Sequence, residues 1–178
     1  MSTEDEILSA AAVLLEREGA EAVTTRAVCQ AAGVTAPTLY HHFGDKDGLL
    51  RAVVARGVAQ FMMLKRANRQ TRDPIADLRR GWDGWIAFAI ERPNLFRLMV
   101  ESTRRDPSSS QEAYAIMRAI VERLHQEQRL KTDVETAART IWAASNGVLT
   151  LFMQGTSPKD IKPTSDILFD ALMAKLVA

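Results

Sequence analysis

The sequence predicts an all-α protein of about nine helices. Three observations carry that expectation: period-two alternation is nearly absent, apolar residues recur at helical spacing, and helix start and stop residues punctuate the whole chain. At 178 residues the chain suits one compact domain or two small ones, at about 100–150 residues each.

Thr3 and Glu6 fit a capping box ahead of Ile7, Leu8, Ala11, Ala12, Leu14 and Leu15, on a helix ending near Gly19. Thr24 caps a second helix through Ala32, stopped by Gly33. Thr35 starts a third, with Pro37 tolerated in its first turn, ending at Phe43-Gly44. Asp45 begins a long fourth helix towards Arg69, although Gly48 and Gly57 inside it weaken its propensity. Asp73-Pro74 starts a fifth that runs towards Arg92, and Pro93 opens a short sixth through Glu101. Residues 103–110 read as a polar loop. Helices are then predicted at 110–129, at 133–153 behind a Thr132/Glu135 capping box, and at 165–177, with Gly155 to Pro163 as a loop.

Composition excludes several classes. The single cysteine, Cys29, rules out an internal disulfide framework and a thiolate zinc cluster. No uncharged apolar run reaches the ~18 residues of a membrane span. The opening Ser2-Thr3-Glu4-Asp5-Glu6 has the wrong charge for the front of a secretory signal, so the expected location is the reducing cytoplasm. Net charge is +1, but unevenly spread. Residues 1–50 hold three basic and eight acidic side chains, a balance of −5, whereas 51–72 hold six basic and none acidic. Bulk charge therefore makes no case for nucleic-acid binding; placed residues must.

Residues 24–50 supply them. Two short helices joined by a tight turn containing Gly33 form a helix-turn-helix, whose second helix enters a DNA major groove. Val28, Ala32, Val34, Leu39 and Phe43 are spaced to point inward, leaving Ala36, Pro37, Thr38, Tyr40, His41 and His42 outward.

The run Ala32-Gly33-Val34-Thr35, then Leu39-Tyr40-His41-His42-Phe43, Lys46 and Leu49, resembles the TetR family of transcriptional regulators over about 45 N-terminal residues. Cys29 stands where alanine is usual, and the basic N-terminal arm of some members is missing. The resemblance implies a DNA-binding domain over 1–50 and a ligand-binding and dimerisation domain over 51–178. It assigns phosphate contacts to Thr25, Arg26, Tyr40, His41 and Lys46, and a base-facing position to Thr35, Ala36, Pro37 and Thr38. Hydroxyls, lysine and helix N-terminal amides are ordinary phosphate partners. Ala36 and Pro37 offer only apolar contact, so polar readout falls to Thr38 and part of the specificity to DNA shape.

In the C-terminal half, Trp82, Trp85, Phe88, Phe96, Met99, Met117, Trp142 and Asn146 are the candidate lining of an apolar ligand pocket; each apolar one also reads as ordinary core. Asn94, Arg97, Arg118 and His125 are further polar candidates. Asn94 through Met99 looks like a stretch common in TetR-like ligand domains. Trp142 to Gly147 is similar to a Trp-x-x-x-His-Gly pattern of such domains, with Asn146 in the histidine position. Residues 165–177 are apolar over well over half their circumference, more than one buried face of about 100° needs. Together with small residues in the preceding helix, they predict an isologous two-fold interface through Ala144, Val148, Phe152, Ile167, Phe169, Leu172, Met173 and Leu176; the competing reading is a monomer.

The expected function is a dimeric regulator, released from a palindromic operator on double-stranded DNA by a small hydrophobic effector. The alternative is a helical dimer that binds a ligand or protein partner without DNA. No cofactor, no metal and no catalysis are expected: His41 and His42 are adjacent on a helix, His125 is distant, and neither a nucleophile elbow nor a phosphate-cradling glycine loop occurs.

Overall fold

The computed structural model describes residues 2–67, 70–106 and 110–178. Among these there are nine α-helices: α1 (Thr3–Glu18), α2 (Thr25–Ala32), α3 (Ala36–Phe43), α4 (Lys46–Ala67), α5 (Pro74–Glu91), α6 (Pro93–Arg105), α7 (Gln111–Gln126), α8 (Val134–Met153) and α9 (Pro158–Leu176). A 3-10 turn, Ala20–Ala22, follows α1. The only β pairing among the described residues is an isolated antiparallel bridge, Leu130 to Val177. The residues cluster as two compact units. One runs to Leu64 and includes Arg92–Glu101; the other comprises Lys65–Glu91 and Ser102–Ala178.

The first unit is built on α1, α2, α3 and most of α4. Ile7, Leu15, Val23, Val28, Leu39 and Leu49 are fully buried in it. The α1 cap lies one residue earlier than Thr3: Ser2 Oγ accepts from the Asp5 amide at 3.1 Å and Asp5 Oδ2 accepts from the Ser2 amide at 3.2 Å. Thr24 Oγ1 caps α2 by accepting from the Ala27 amide, and Gly33 ends it in the left-handed conformation at φ 66°. Only glycine enters that region without steric cost, so the turn into α3 rests on it. The two glycines inside α4 mark close approaches. A Cβ at Gly48 would stand 2.0 Å from the Phe43 carbonyl oxygen, and one at Gly57 would stand 2.6 Å from Leu95 Cδ2. Packing thus overrides propensity in this helix.

Glu16 ties α6 to α1. Its carboxylate accepts from the Leu95 amide at 2.9 Å, while Asn94 Nδ2 donates to the Leu15 carbonyl at 3.0 Å. A carboxylate at a helix N-terminus satisfies amides that have no partner within the helix.

The second unit packs α5, α7, α8 and α9. Leu78, Val121, Leu124, Ala137, Ala138, Val148, Leu149, Ile161 and Phe169 form its core. Three expected boundaries are corrected here. Asp133, not Thr132, caps α8 by accepting from the Thr136 amide at 2.8 Å. The sixth helix does not stop at Glu101 but continues to Arg105, so the polar loop is shorter than 103–110; residues 107–109 fall outside the described residues. So does residue 69, near the expected end of α4, whose described portion closes at Ala67. The last helix starts at Pro158, well before residue 165, and Pro163 lies inside it. Ser157 caps it by accepting from the Asp160 amide, Pro158 occupies the first turn where no amide is needed, and Ile161 is fully buried. Pro163 forfeits one backbone bond, which this anchoring offsets.

No helix among the described residues is long and apolar enough to cross a membrane.

Candidate nucleic-acid interface and ligand cavity

Local signals position the candidate nucleic-acid face. Val28 and Leu39, both 0% exposed, lock α2 against α3. That packing turns Arg26, Thr35, Pro37, Tyr40, His41 and His42 to solvent, with Thr25, Ala36, Thr38 and Lys46 half-buried. The Tyr40 hydroxyl donates to Thr25 Oγ1 at 3.4 Å, joining α3 to the first residue of α2. Thr35 Oγ1 and Thr38 Oγ1 lie 2.9 Å apart and one hydroxyl donates to the other, so one threonine hydrogen remains to donate outward. Lys46 is the first residue of α4. Hydroxyls and cations thus lie on α2, α3 and the first residue of α4, with Thr25 and Thr35 at the amide ends of α2 and α3, residue types suited to a polyanionic backbone. Tyr40 is 47% exposed, unusual for so large a ring without an external partner.

The second unit holds a cavity of about 390 Å³. Trp82, Trp85, Met117 and Trp142 line it, with Leu78, Ile116, Ile120 and Ile141 completing the apolar wall. The rest of the pocket set lies elsewhere. Phe96 is 1% exposed and Met99 is buried, both in the first unit, where packing of α6 takes them. Phe88 stacks on Trp85 at 6.2 Å between ring centroids and is not a lining residue. Asn146 donates to the Trp142 carbonyl of its own helix at 2.8 Å. Asn94 serves the α1–α6 tie described above. Arg118 pairs with Glu135, and Arg97 and His125 are solvent-exposed.

Sequence reasoning missed the polar part of the wall: Lys65, Arg66, Gln70, Asp77, Arg80 and Ser145. Helical spacing holds a signal for some of them, since Asp77 and Gly81 precede Trp85 by eight and four residues, and Ser145 follows Trp142 by three. Asp77 is the most constrained. Its side chain is 3% exposed and accepts from the Thr71 amide at 3.0 and 3.1 Å, from Thr71 Oγ1 at 2.8 Å, from Arg123 at 2.6 Å and from Arg80. Burial alone would push the Asp77 carboxyl up, but Arg123 and Thr71 outweigh it and hold it below the usual carboxylate range. Nearby, Trp82 Nε1 donates to the buried Ser165 hydroxyl at 2.7 Å. Trp142 meets Tyr114 edge-on at 5.6 Å.

The expected interface set divides. Val148, Phe169 and Leu176 are 1%, 3% and 8% exposed and belong to the protomer's own core, Phe169 meeting Trp82 edge-on. Ala144, Phe152, Leu172 and Met173 are half-buried. Ile167 is 71% and Leu151 42% exposed, beside exposed Ala143, Gly147 and Ala171. Within α8 and α9 the inward stripe is therefore used up, and a separate small-residue stripe faces out.

Residues 7–53 match the family of bacterial regulatory proteins of the tetR type, and residues 78–176 match a tetracyclin repressor-like C-terminal domain. Among curated relatives, the chain is 34% identical over 102 residues to the nucleoid occlusion factor SlmA of Vibrio vulnificus, covering 53% of this chain and 50% of that protein. It is 29% identical over 119 residues to the HTH-type transcriptional regulator BetI of Paraburkholderia xenovorans, covering 56% of this chain and 61% of that one. The chain spans about half the length of the curated relatives it matches. In three dimensions it is similar to SmeT, the repressor of the Stenotrophomonas maltophilia multidrug efflux pump SmeDEF, with TM-score 0.74 and 28% identity, covering 100% of this chain and 92% of the other. A TetR transcription regulator from Haloarcula marismortui shares the fold at TM-score 0.85 and 17% identity, covering 99% and 98% of the two chains.

Proposed function

The chain belongs to the TetR family of bacterial regulatory proteins, and from that premise we propose that it is a homodimeric repressor, bound to a palindromic operator and released when a small hydrophobic molecule fills the cavity. The observation that carries the DNA reading is the solvent-facing Tyr40 hydroxyl beside Thr25 at the amide end of α2. SmeT, a repressor by name, supports the direction of control.

In this reading Thr25, Arg26, Tyr40, His41 and Lys46 hold phosphates and set register, while α3 lies in the major groove. Thr38 and Thr35 supply polar contacts to base edges; Ala36 and Pro37 meet a thymine methyl. The partner protomer does the same one helical turn away, about 34–36 Å, or a near multiple of it. The outward stripe of Ala143, Gly147, Leu151, Ile167 and Ala171 is the seam between protomers, where small residues let helices approach closely. Regulation follows if the effector binds a DNA-incompetent state better than the competent one; equal affinity for both would shift nothing. One helix serves both roles, since α4 begins at Lys46 and carries the cavity residues Lys65 and Arg66 near its end.

A gel shift on a palindrome from the DNA upstream of the chain's own gene tests the reading. A retarded band at low salt, weakened by added salt and lost when Thr38→Ala and Tyr40→Phe are combined, is expected. Absence of any band at low salt would favour the alternative, a helical dimer that binds a ligand or a protein partner without DNA.

A further inference from the structure

We infer that Gly81 sets the size limit of the cavity, and that the ligand it admits is a flat, largely apolar compound of two or three fused rings. The inference rests on the cavity being the effector site, as proposed above, and adds the shape of the ligand and the position that reads it. On α5 the lining residues are Asp77, Leu78, Gly81, Trp82 and Trp85, one stripe at helical spacing. The middle of that stripe carries no side chain.

Neither backbone nor packing requires glycine there. Positive φ occurs at Gly19, Gly33, Gly44 and Gly155, not at Gly81, which lies inside α5. A Cβ at Gly81 would meet no atom within 4 Å beyond its chain neighbours and its own helix backbone, the reverse of Gly57, where Leu95 stands in the way. A helix interior is also weakened by glycine relative to alanine. What the bare backbone provides is room, and on this stripe the room belongs to the cavity.

The flat shape follows from how the walls are held. Trp82 donates to Ser165 Oγ at 2.7 Å and meets Phe169 edge-on at 5.5 Å. Trp85 stacks on Phe88 with the ring planes 4° apart, and Trp142 meets Tyr114 edge-on. Indoles held in this way cannot turn around a bulky ligand without losing those contacts, so they favour a planar one. The volume, about 390 Å³, is more than twice the roughly 150 Å³ that takes a single benzene ring.

Phenol, 2-naphthol and 9-phenanthrol, one hydroxyl on one, two and three rings, test this by equilibrium dialysis. On the unmodified protein affinity is expected to rise with each ring, about ten-fold from phenol to 2-naphthol. Gly81→Leu is expected to weaken 9-phenanthrol by about ten-fold or more and leave phenol within about two-fold, with Gly81→Ala in between. Gly84, exposed on the same helix, is the control: Gly84→Ala should change none of the three affinities. Both alanine variants should raise the thermal midpoint by about 2–4 °C, so a loss of binding at Gly81 is not a loss of fold. If Gly81→Leu, folded by its melt, leaves 9-phenanthrol unchanged or weakens all three alike, the role of Gly81 is overturned and the cavity stands. If phenol binds the unmodified protein as tightly as the larger rings, the ligand class is overturned. If none of the three binds, the effector reading of the cavity fails and the inference falls with it.

Discussion

The Tyr40 hydroxyl donates to Thr25 Oγ1 across the 3.4 Å between α3 and the start of α2. Two residues 15 positions apart are thereby held as one polar unit at the exposed end of the helix-turn-helix. A phosphate seated there would meet the tyrosine hydroxyl and the α2 amides together, which neither helix offers alone.

Tyr40→Phe removes that hydroxyl and keeps the ring. Operator affinity is expected to fall about five-fold, since a typical net hydrogen bond contributes about 1 kcal/mol. The thermal midpoint should hardly move, because the side chain is largely exposed. Fluorescence anisotropy on labelled operator, paired with a melt, separates the two effects.

Gly33→Ala places a Cβ at φ 66°, where nothing crowds it but the backbone conformation itself is unfavourable. The expected cost is about 1 kcal/mol of stability. Urea unfolding reads it directly as a lower midpoint with an unchanged slope.

Asp77→Asn should destabilise the protein by about 2 kcal/mol at pH 7, the scale of hydrogen bonds to a charged group. Because the folded Asp77 carboxyl sits below its unfolded value, its stabilisation is fully present above about pH 4 and lost as pH falls through the folded value. Asp166 adds to the same acid limb: Lys162 and Arg79 hold its carboxyl low against the opposing effect of burial. The gap between wild type and Asp77→Asn should narrow steadily below pH 4. A gap that is constant down to pH 2 would contradict this assignment.

Ile167→Glu puts a charge on the exposed stripe of α9 and should give a folded monomer by sedimentation velocity. Phe169→Ala should instead lower protomer stability by about 3–5 kcal/mol, as expected for a core aromatic. A dimer that persists in Ile167→Glu would move the seam away from this stripe.

The DNA-facing helices were legible because their signals are local. Thr24 and Gly33 bracket α2, the Thr24 hydroxyl capping it, and Thr35 and Gly44 bracket α3 through backbone bonds with Leu39 and Tyr40, without a side-chain cap from Thr35. Where two local solutions competed, spacing alone did not choose. Ser2 with Asp5 and Thr3 with Glu6 both fit a capping box, and the chain uses the earlier pair. Pro163 reads as a helix breaker, yet burial of Ile161 and the Ser157 cap carry α9 through it. The cavity was half legible. Tryptophans attract notice at any site, but whether Phe96 lines a pocket or fills a core depends on which unit α6 joins, a tertiary fact. Asp77 carries no local signal of its burial, because its partners Thr71 and Arg123 come from a loop and from another helix.

Selection of bound duplexes from a random pool tests the central claim most directly. The account predicts enrichment of a palindrome whose half-sites are centred about one helical turn apart or a near multiple, taken up as two chains per site and lost with the Thr38→Ala, Tyr40→Phe variant. Recovery of no common sequence at low salt, from a pool offered to folded dimer, would contradict it.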